Sequence, residues 1–420
     1  MSAKTIVIGG GVAGLACAVY LARAGKQVSL LESANVAGGR CRSYFDKTLG
    51  CRIDNGNHIL LSGNKAAIDY LSVIGAAHTL SGPDRAEFSF YDLDTATRWT
   101  LRPNRGRFPW WMMQKNRRVP GTRATDYLRG FRLAWAGPDQ TVAEVLGGEG
   151  ALYRRFWEPF ALAVLNTALE EASASLLWPV VRETFGRGEQ AYRPRIAREG
   201  LSESFVDPAL AFLAGRNAEV RLGCRVRELA YSDYRVSAVV LADETVAVGP
   251  EDRVVLAVPP PVCAELVPGL DVPTQHRAIL NAHFRVGISV DEPALLGLVG
   301  GALSQWVFLR RDVASVTISA ADHLNDRPAD EIGTAIWAEI ARPLGMERDP
   351  IPPFRIVKEK RATFAQTPEQ IARRATTRTG RKNLFLAGDW TDTGFPATIE
   401  GAIISGKKAA DAVISLSEIP

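Results

Sequence analysis

The sequence predicts an α/β protein in which a parallel sheet is assembled from the two ends of the chain and an α+β domain is inserted between them. Three observations predict it. The first 32 residues read strand, glycine turn, helix, strand, which is a βαβ start. A second buried strand, Leu384–Ala387, and a helix from about Ala397 to Ser415 close the chain. At 420 residues the chain is long for one compact core, so two domains are expected.

The elements follow in order. Thr5–Ile8 is a short β-branched run, hence a buried strand. Gly14 to Ala24 has helical spacing and stops at Gly25, a C-cap residue. Gln27–Leu31 is the next strand. Glu87 to Leu101 reads as an aromatic-rich hairpin, and residues 141–185 as helices. Glu219–Tyr231, Val236–Leu241 and Val254–Val258 read as strands, the last stopped by Pro259, Pro260 and Pro261. Residues 280–320 suggest an antiparallel sheet, and Asp330–Arg342 a helix.

Hydrophobic residues make up 46% and charged residues 23%, which fits a soluble globular chain. No apolar run reaches the roughly 18 residues that cross a bilayer. Five glycines interrupt the apolar stretch Thr5–Leu31, which argues against a signal peptide. The five cysteines (Cys17, Cys41, Cys51, Cys224, Cys263) have no metal-ligand spacing and no C-x-x-C pair. They read as reduced thiols in a reducing compartment, with no metal site expected.

Gly9-Gly10-Gly11-Val12-Ala13-Gly14 fits G-x-G-x-x-G between a strand and a helix. The first glycine makes the tight turn. Gly11 lets the backbone approach a pyrophosphate, and Gly14 lets the helix pack close to the strand. Glu32, at the end of the second strand, stands where an acid accepts hydrogen bonds from ribose hydroxyls. Together these point to a dinucleotide.

Gly38-Gly39-Arg40, with Ser43 after it, can be read as a glycine turn with a surface arginine. Its distance from Glu32 also resembles the second fingerprint of the flavoproteins that include amine oxidases and phytoene desaturases. A third fingerprint resembles Leu384 to Trp390 followed by Pro396-Ala397-Thr398-Ile399-Glu400-Gly401-Ala402. The resemblance implies FAD held by a Rossmann-like domain. Gly38, Gly39 and Arg40 would lie along the diphosphate and flavin edge, Gly388 and Asp389 near the ribityl–diphosphate region, and Val226, in a strand Cys224–Leu229, against adenine. The helix opened by Thr398 and Ile399 would aim its N-terminus at the flavin, where its dipole stabilises negative charge. The implied division is residues 1–65, 200–265 and 370–420 for FAD, and residues 66–199 and 266–369 for substrate.

Gly50-Cys51-Arg52-Ile53-Asp54-Asn55-Gly56-Asn57-His58 with Ser62-Gly63-Asn64 is similar to hydroxysqualene dehydroxylases, also called squalene-associated FAD-dependent desaturases. Asn166-Thr167, Glu171 to Ala174 and Arg361 to Ala365 match the same group. That resemblance implies replacement of the hydroxyl of hydroxysqualene by hydrogen in bacterial squalene and hopanoid biosynthesis. Such a reaction needs a proton for the leaving oxygen, an apolar channel and exclusion of water. Asp54 and His58 are the candidate acids; the alternative is that Asp54, Asn55 and Asn57 only build a turn and His58 is a core histidine. The remaining histidines, His78, His276, His283 and His323, carry no motif and read as surface residues. No residue names the electron donor.

Between Arg98 and Arg132 ten Lys or Arg face one acid, Asp126, around Phe108-Pro109-Trp110-Trp111-Met112-Met113. Tryptophans flanked by cations suit a lipid headgroup zone. The expectation is a cytoplasmic enzyme peripheral on the inner face of the membrane, touching it through Trp110–Met113. A tunnel wall with a solvated rim is the alternative; nucleic acid is not expected. Three rivals remain. An amine oxidase would carry an aromatic residue where Thr398 stands. A carotenoid-type desaturase shares cofactor and substrate class. A prenyl-binding protein of the same fold would not need the intact Gly38-Gly39-Arg40 and Gly388-Asp389.

Overall fold

The structure, a computed structural model, describes residues 3–301 and 303–416. A five-stranded parallel sheet is built from β1 (Lys4–Ile8), β2 (Gln27–Leu31), β3 (Glu219–Arg221), β4 (Arg253–Leu256) and β5 (Leu384–Leu386), in the order β3-β2-β1-β4-β5. The first two strands come from the N-terminus and the last from near the C-terminus. Strand alternation sorts the residues by face. Val7, Leu30, Val255 and Phe385 stand in register and pack beneath helices α1 (Val12–Arg23) and α2 (Ile399–Leu416). Ile6, Leu31, Val254, Leu256, Leu384 and Leu386 point the other way, toward a three-stranded antiparallel layer, residues 228–247. Both faces are covered, which is why the strands other than the edge strand β3 are largely apolar runs. α1 and α2 touch backbone to backbone, since a Cβ at Gly406 would lie 2.2 Å from the Ala13 carbonyl oxygen.

The inserted part rests on a second sheet. Its spine is the long, bulged strand His276–Val299, paired antiparallel with Trp306–Ile318 and Phe354–Phe364 and parallel with Phe88–Asp92. The expected hairpin, Phe88–Asp92 with Thr97–Leu101, extends that sheet, and Phe90 stacks on Trp99 at 4.3 Å. Helix Ala329–Ile340 covers one face through Ile332, Ile336, Trp337 and Ile340 against Leu280, Ala282 and Phe284. Residues 141–185 are helical in pieces, including a π turn at Tyr153–Trp157.

Not every sequence expectation holds. Glu219–Tyr231 is not one strand: β3 ends at Arg221, Gly223 takes φ +68°, and the next strand, Glu228–Ser232, belongs to the antiparallel layer. The Cys224 N–H turns back to the Glu32 carbonyl at 2.7 Å, so Val226 lies in irregular chain and not in a strand. The prolines after β4 do more than stop it. Pro260 opens the helix Pro260–Leu266, where a missing N–H costs nothing. His283 is not a surface residue; it is buried in the long strand. In the basic segment, Trp110–Met113 is a short 3-10 helix in which Trp110 and Met113 are exposed but Trp111 is core.

Candidate cofactor and active site

The glycine turn shows why each glycine is there. Gly9 has φ +108°, and a Cβ on it would sit 2.4 Å from the Ala257 carbonyl oxygen. A Cβ on Gly14 would lie 1.9 Å from the Gly9 oxygen, so helix and strand meet there. A Cβ on Gly11 would meet nothing within 4 Å. The open side of Gly11 is the N-cap of α1, which has no side-chain cap and no acid in its first turn. Its first N–H groups, from Val12 and Ala13 onward, have no partner within the helix, an arrangement that binds anions.

Glu32 is fixed beside this cradle. Its Oε2 accepts the Gly10 N–H at 2.6 Å and its Oε1 the Ala34 N–H at 2.7 Å and the Ser33 hydroxyl at 3.1 Å, which leaves a lone pair on Oε2. The second fingerprint lies on the first: the Gly38 N–H donates to the Gly10 carbonyl at 2.8 Å, and a Cβ on Gly39 would come 3.4 Å from the Gly11 Cα. Arg40 then reaches Asp389, Nη2 to Oδ1 at 2.8 Å, and the Ala362 carbonyl. Asp389 is buried and follows Gly388, whose N–H donates to Ser405 Oγ at 2.8 Å. Thr398 Oγ1 accepts the Gly401 N–H at 3.1 Å, as an N-cap does, and Ile399 begins α2. Glu400 looks elsewhere: its oxygens accept the N–H groups of Ala66 and Ala67 in the first turn of the helix Lys65–Val73. Val226 is half-buried and lines a cavity of about 370 Å³ with Arg225, Arg227, Val262, Glu265 and Leu266. Open cradle, free helix N-terminus and anchored acid fit a dinucleotide such as FAD.

Asp54 ends a hairpin, Ser43–Asp46 with Cys51–Asp54, and is buried. Its Oδ1 accepts from Ser43 Oγ at 2.6 Å and the Leu201 N–H at 3.0 Å; its Oδ2 pairs with Arg310 Nη1 at 2.6 Å. His58 follows in a half-buried loop. Desolvation lowers its pKa to about 4, Asp54 opposing and Arg40 reinforcing the shift, so the ring is neutral at neutral pH.

Sequence reasoning missed the polar face of the long strand. Asn281 and His283 alternate with Ala282 and Phe284, and both pairs are buried. Asn281 faces Thr317 in register, and His283 faces Ser315. Asn281 Oδ1 accepts from Thr317 Oγ1 at 2.8 Å and the Asn57 N–H at 3.3 Å; Asn57 Nδ2 donates to Thr317 Oγ1 at 3.1 Å. His283 Nδ1 pairs with Ser315 Oγ at 2.7 Å, and its buried Nε2 has no hydrogen-bond partner. Burial brings this pKa to about 4 as well, with Asp54 opposing and Arg310 reinforcing. Two polar residues at i and i+2 of the otherwise apolar stretch Ala278–Phe284 were the available signal. The scattered motifs also converge. Asn166 Nδ2 donates to Thr363 Oγ1 at 3.0 Å, and Gln366 Oε1 accepts the Ala397 N–H at 2.8 Å just before α2.

The family described as flavin containing amine oxidoreductase matches residues 12–414. Hydroxysqualene dehydroxylase of Sinorhizobium fredii is 47% identical over 409 residues, covering 97% of this chain and 98% of that one. The enzyme of the same name from Rhodopseudomonas palustris is 48% identical over 416 residues, 99% of each. Wild-type putrescine oxidase bound to putrescine superposes with a TM-score of 0.68 at 16% identity over 99% of each chain, a likeness of fold alone. With similarity of this order along its whole length, the chain belongs to the flavin-containing amine oxidoreductases and, within them, to the hydroxysqualene dehydroxylases.

Proposed function

We propose that this protein reduces hydroxysqualene to squalene, with FAD as cofactor, in bacterial squalene and hopanoid biosynthesis. The observation that carries the reading is the 43–48% identity to three hydroxysqualene dehydroxylases over 97–99% of this chain. In the reaction one C–O bond breaks and one C–H bond forms. The hydroxyl takes a proton and leaves as water; the carbon takes a hydride. Bound FAD, in its reduced form, supplies that hydride.

The chain's residues do the rest. The N–H groups at Gly11, Val12 and Ala13 hold the pyrophosphate, with Gly9 and Gly14 shaping the turn and Glu32 accepting from the ribose. Gly38, Gly39, Arg40, Gly388 and Asp389 line the middle of the cofactor, Val226 the adenine, and Thr398 and Ile399 bring the α2 N-terminus to the ring. His58, its ring neutral, donates a hydrogen bond to the substrate hydroxyl and so holds the leaving oxygen in place for the proton it takes up. Asp54, whose carboxylate is spent on Ser43, Leu201 and Arg310, is a positioning residue for the loop carrying His58.

Residues 1–65, 200–265 and 370–420 form the FAD-binding part, and 66–199 with 266–369 the substrate-binding part. In support, all five parallel strands fall in the first set and the whole sheet around His276–Val299 in the second. The protein works on the inner face of the cytoplasmic membrane through Trp110–Met113 and its flanking cations. Supporting this, Trp110 and Met113 are exposed and the Arg117 guanidinium lies 5.2 Å from the Trp110 ring centroid. No described helix is long and apolar enough to cross a membrane.

The test is anaerobic incubation of the reduced holoprotein with hydroxysqualene in deuterated buffer. Squalene with one deuterium at the former carbinol carbon is expected. A desaturated product, or no turnover alongside activity on an amine, overturns the reading.

A further inference from the structure

The exposed apolar surface is concentrated beyond Trp110–Met113. A second 3-10 helix runs twelve residues, Ala124–Trp135. Runs of that length are unusual, and residues three apart eclipse one another, so such a helix presents three straight ridges. Tyr127, Gly130 and Leu133 form the buried ridge. The Tyr127 ring meets Trp111 edge-on at 5.4 Å, its hydroxyl accepts the Val119 N–H at 3.0 Å, and a Cβ on Gly130 would strike the Trp157 ring at 2.6 Å. The helix is therefore locked against the body of the protein and against the Trp110–Met113 turn.

The other ridges face outward. Leu128 is 62% exposed, Phe131 57% and Trp135 79%, beside the exposed Arg129 and Arg132. With Phe108, Trp110 and Met113, six large apolar side chains are exposed within residues 108–135, against five in the rest of the described chain. Isolated exposed apolar residues are ordinary, but such a concentration is not.

Charge identifies what this face meets. Residues 105–135 hold eight Lys or Arg and one acid, a net of +7, while the whole chain carries +4 and the remainder therefore −3. The one acid, Asp126, is engaged in capping, its carboxylate accepting the Arg123 N–H at 2.7 Å. A symmetric pairing of two copies through this face would set +7 against +7. An anionic bilayer answers both features, with headgroups on the arginines and acyl chains on the apolar ridge.

We propose that the helix Ala124–Trp135 is the principal membrane-docking element, lying in the plane of an anionic bilayer with Leu128, Phe131 and Trp135 in the acyl boundary. This rests on the peripheral-membrane reading above and moves the main contact from Trp110–Met113 to the longer helix. Arg129 and Arg132 share the neighbouring ridge, which ends in Trp135, and hold the headgroups beside Leu128 and Phe131.

The experiment is co-sedimentation of the FAD-loaded protein with phosphatidylcholine vesicles, with and without phosphatidylglycerol. It compares wild type, a Leu128→Ser/Phe131→Ser/Trp135→Ser triple variant and a Trp110→Ser/Met113→Ser double variant. All five substituted side chains are exposed, and an unchanged flavin spectrum and thermal midpoint verify the fold. Wild type is expected to bind only the phosphatidylglycerol vesicles, the triple variant to bind at least about tenfold more weakly, and the double variant to keep most of its binding. Full binding by the triple variant with loss in the double variant overturns this proposal and leaves the membrane reading standing. No vesicle binding by wild type overturns both. A wild-type dimer in sedimentation velocity that the triple variant lacks makes the face a contact between copies and likewise overturns the proposal.

Discussion

Replacing Gly11 by alanine should empty the cofactor site and leave the fold standing. Gly11 has φ −69° and ψ 174°, which alanine adopts freely, and the new Cβ touches no protein atom within 4 Å. The cost to the apoprotein is therefore that of a changed N-cap residue, about 1 kcal/mol or less. The methyl group nevertheless occupies the open side over which the pyrophosphate is proposed to pass. Displacing two hydrogen bonds to a charged group, at about 1.5–3 kcal/mol each, raises the FAD dissociation constant by on the order of a hundredfold or more. Gly14→Ala is the contrast. Its Cβ would lie 1.9 Å from the Gly9 oxygen, with the chain held on both sides, so the apoprotein itself should lose about 3 kcal/mol or more. Thermal unfolding of the apoproteins and fluorescence titration with FAD separate the two effects. If Gly11→Ala binds FAD with the wild-type dissociation constant, the pyrophosphate does not cross Gly11 and the assignment of the cradle is wrong.

Glu32→Ala should weaken FAD binding by about 1.5–3 kcal/mol, measured by the same titration, because the ribose loses a charged acceptor; retention unchanged on gel filtration would contradict this. The flavin should be released completely by acid precipitation, since Cys41 is buried with its thiol pKa pushed up by desolvation and burial likewise raises that of Cys51; colour left in the pellet would refute it. His283 has a folded pKa of about 4, below the ordinary 6.5, so the unfolded chain takes up the proton first. Its neutral form contributes stability above about pH 6.5 that is lost as pH falls toward 4, by about 3 kcal/mol at most. His283→Asn should therefore show a smaller drop in thermal midpoint between pH 7 and pH 5 than wild type; equal drops would mean that His283 is not the titrating group. Asn281→Ala should lower kcat more than it raises KM, because the Asn57–His58 loop loses its anchor while the cofactor cradle is untouched; a loss confined to stability would make Asn281 purely structural.

The parallel sheet was legible because its signals are local and redundant. Glycines at fixed offsets, β-branched runs and an acid at the end of β2 each point to the same turn. Where the sequence misled, tertiary structure overrode a local pattern. The run from Glu219 to Tyr231 keeps its strand-like composition while the chain crosses from one sheet to another, and only Gly223 at positive φ marks the crossing. The ridges of Ala124–Trp135 were hidden because a pattern of period three falls between the helix and strand templates. Asp54 and His58 were singled out through their motif, but their partners were not. Arg310 lies 256 residues from Asp54, and nothing local announces that pairing.

The polar groups around Asn57 explain why a protein for a hydrocarbon substrate carries amides in its core. A buried amide or hydroxyl without a partner costs about 1–3 kcal/mol, and Asn281 and Thr317 escape most of that cost by binding each other and the Asn57 side chain and N–H. Leucine at these positions would be simpler for folding, since the opposite face of the same strand is already apolar against Ile336 and Trp337. Keeping the network therefore makes sense only if its geometry is used, and what it fixes is the loop from Asn55 to His58. The same loop is tied from the other side by Asp54 to Arg310 and by Asn55 to Glu359 at 3.2 Å. A loop held from both sides keeps an imidazole in place without a charge beside the apolar substrate. In the proposed reaction such a neutral donor orients the leaving hydroxyl and leaves no cation to draw water toward the carbon that must meet a hydride.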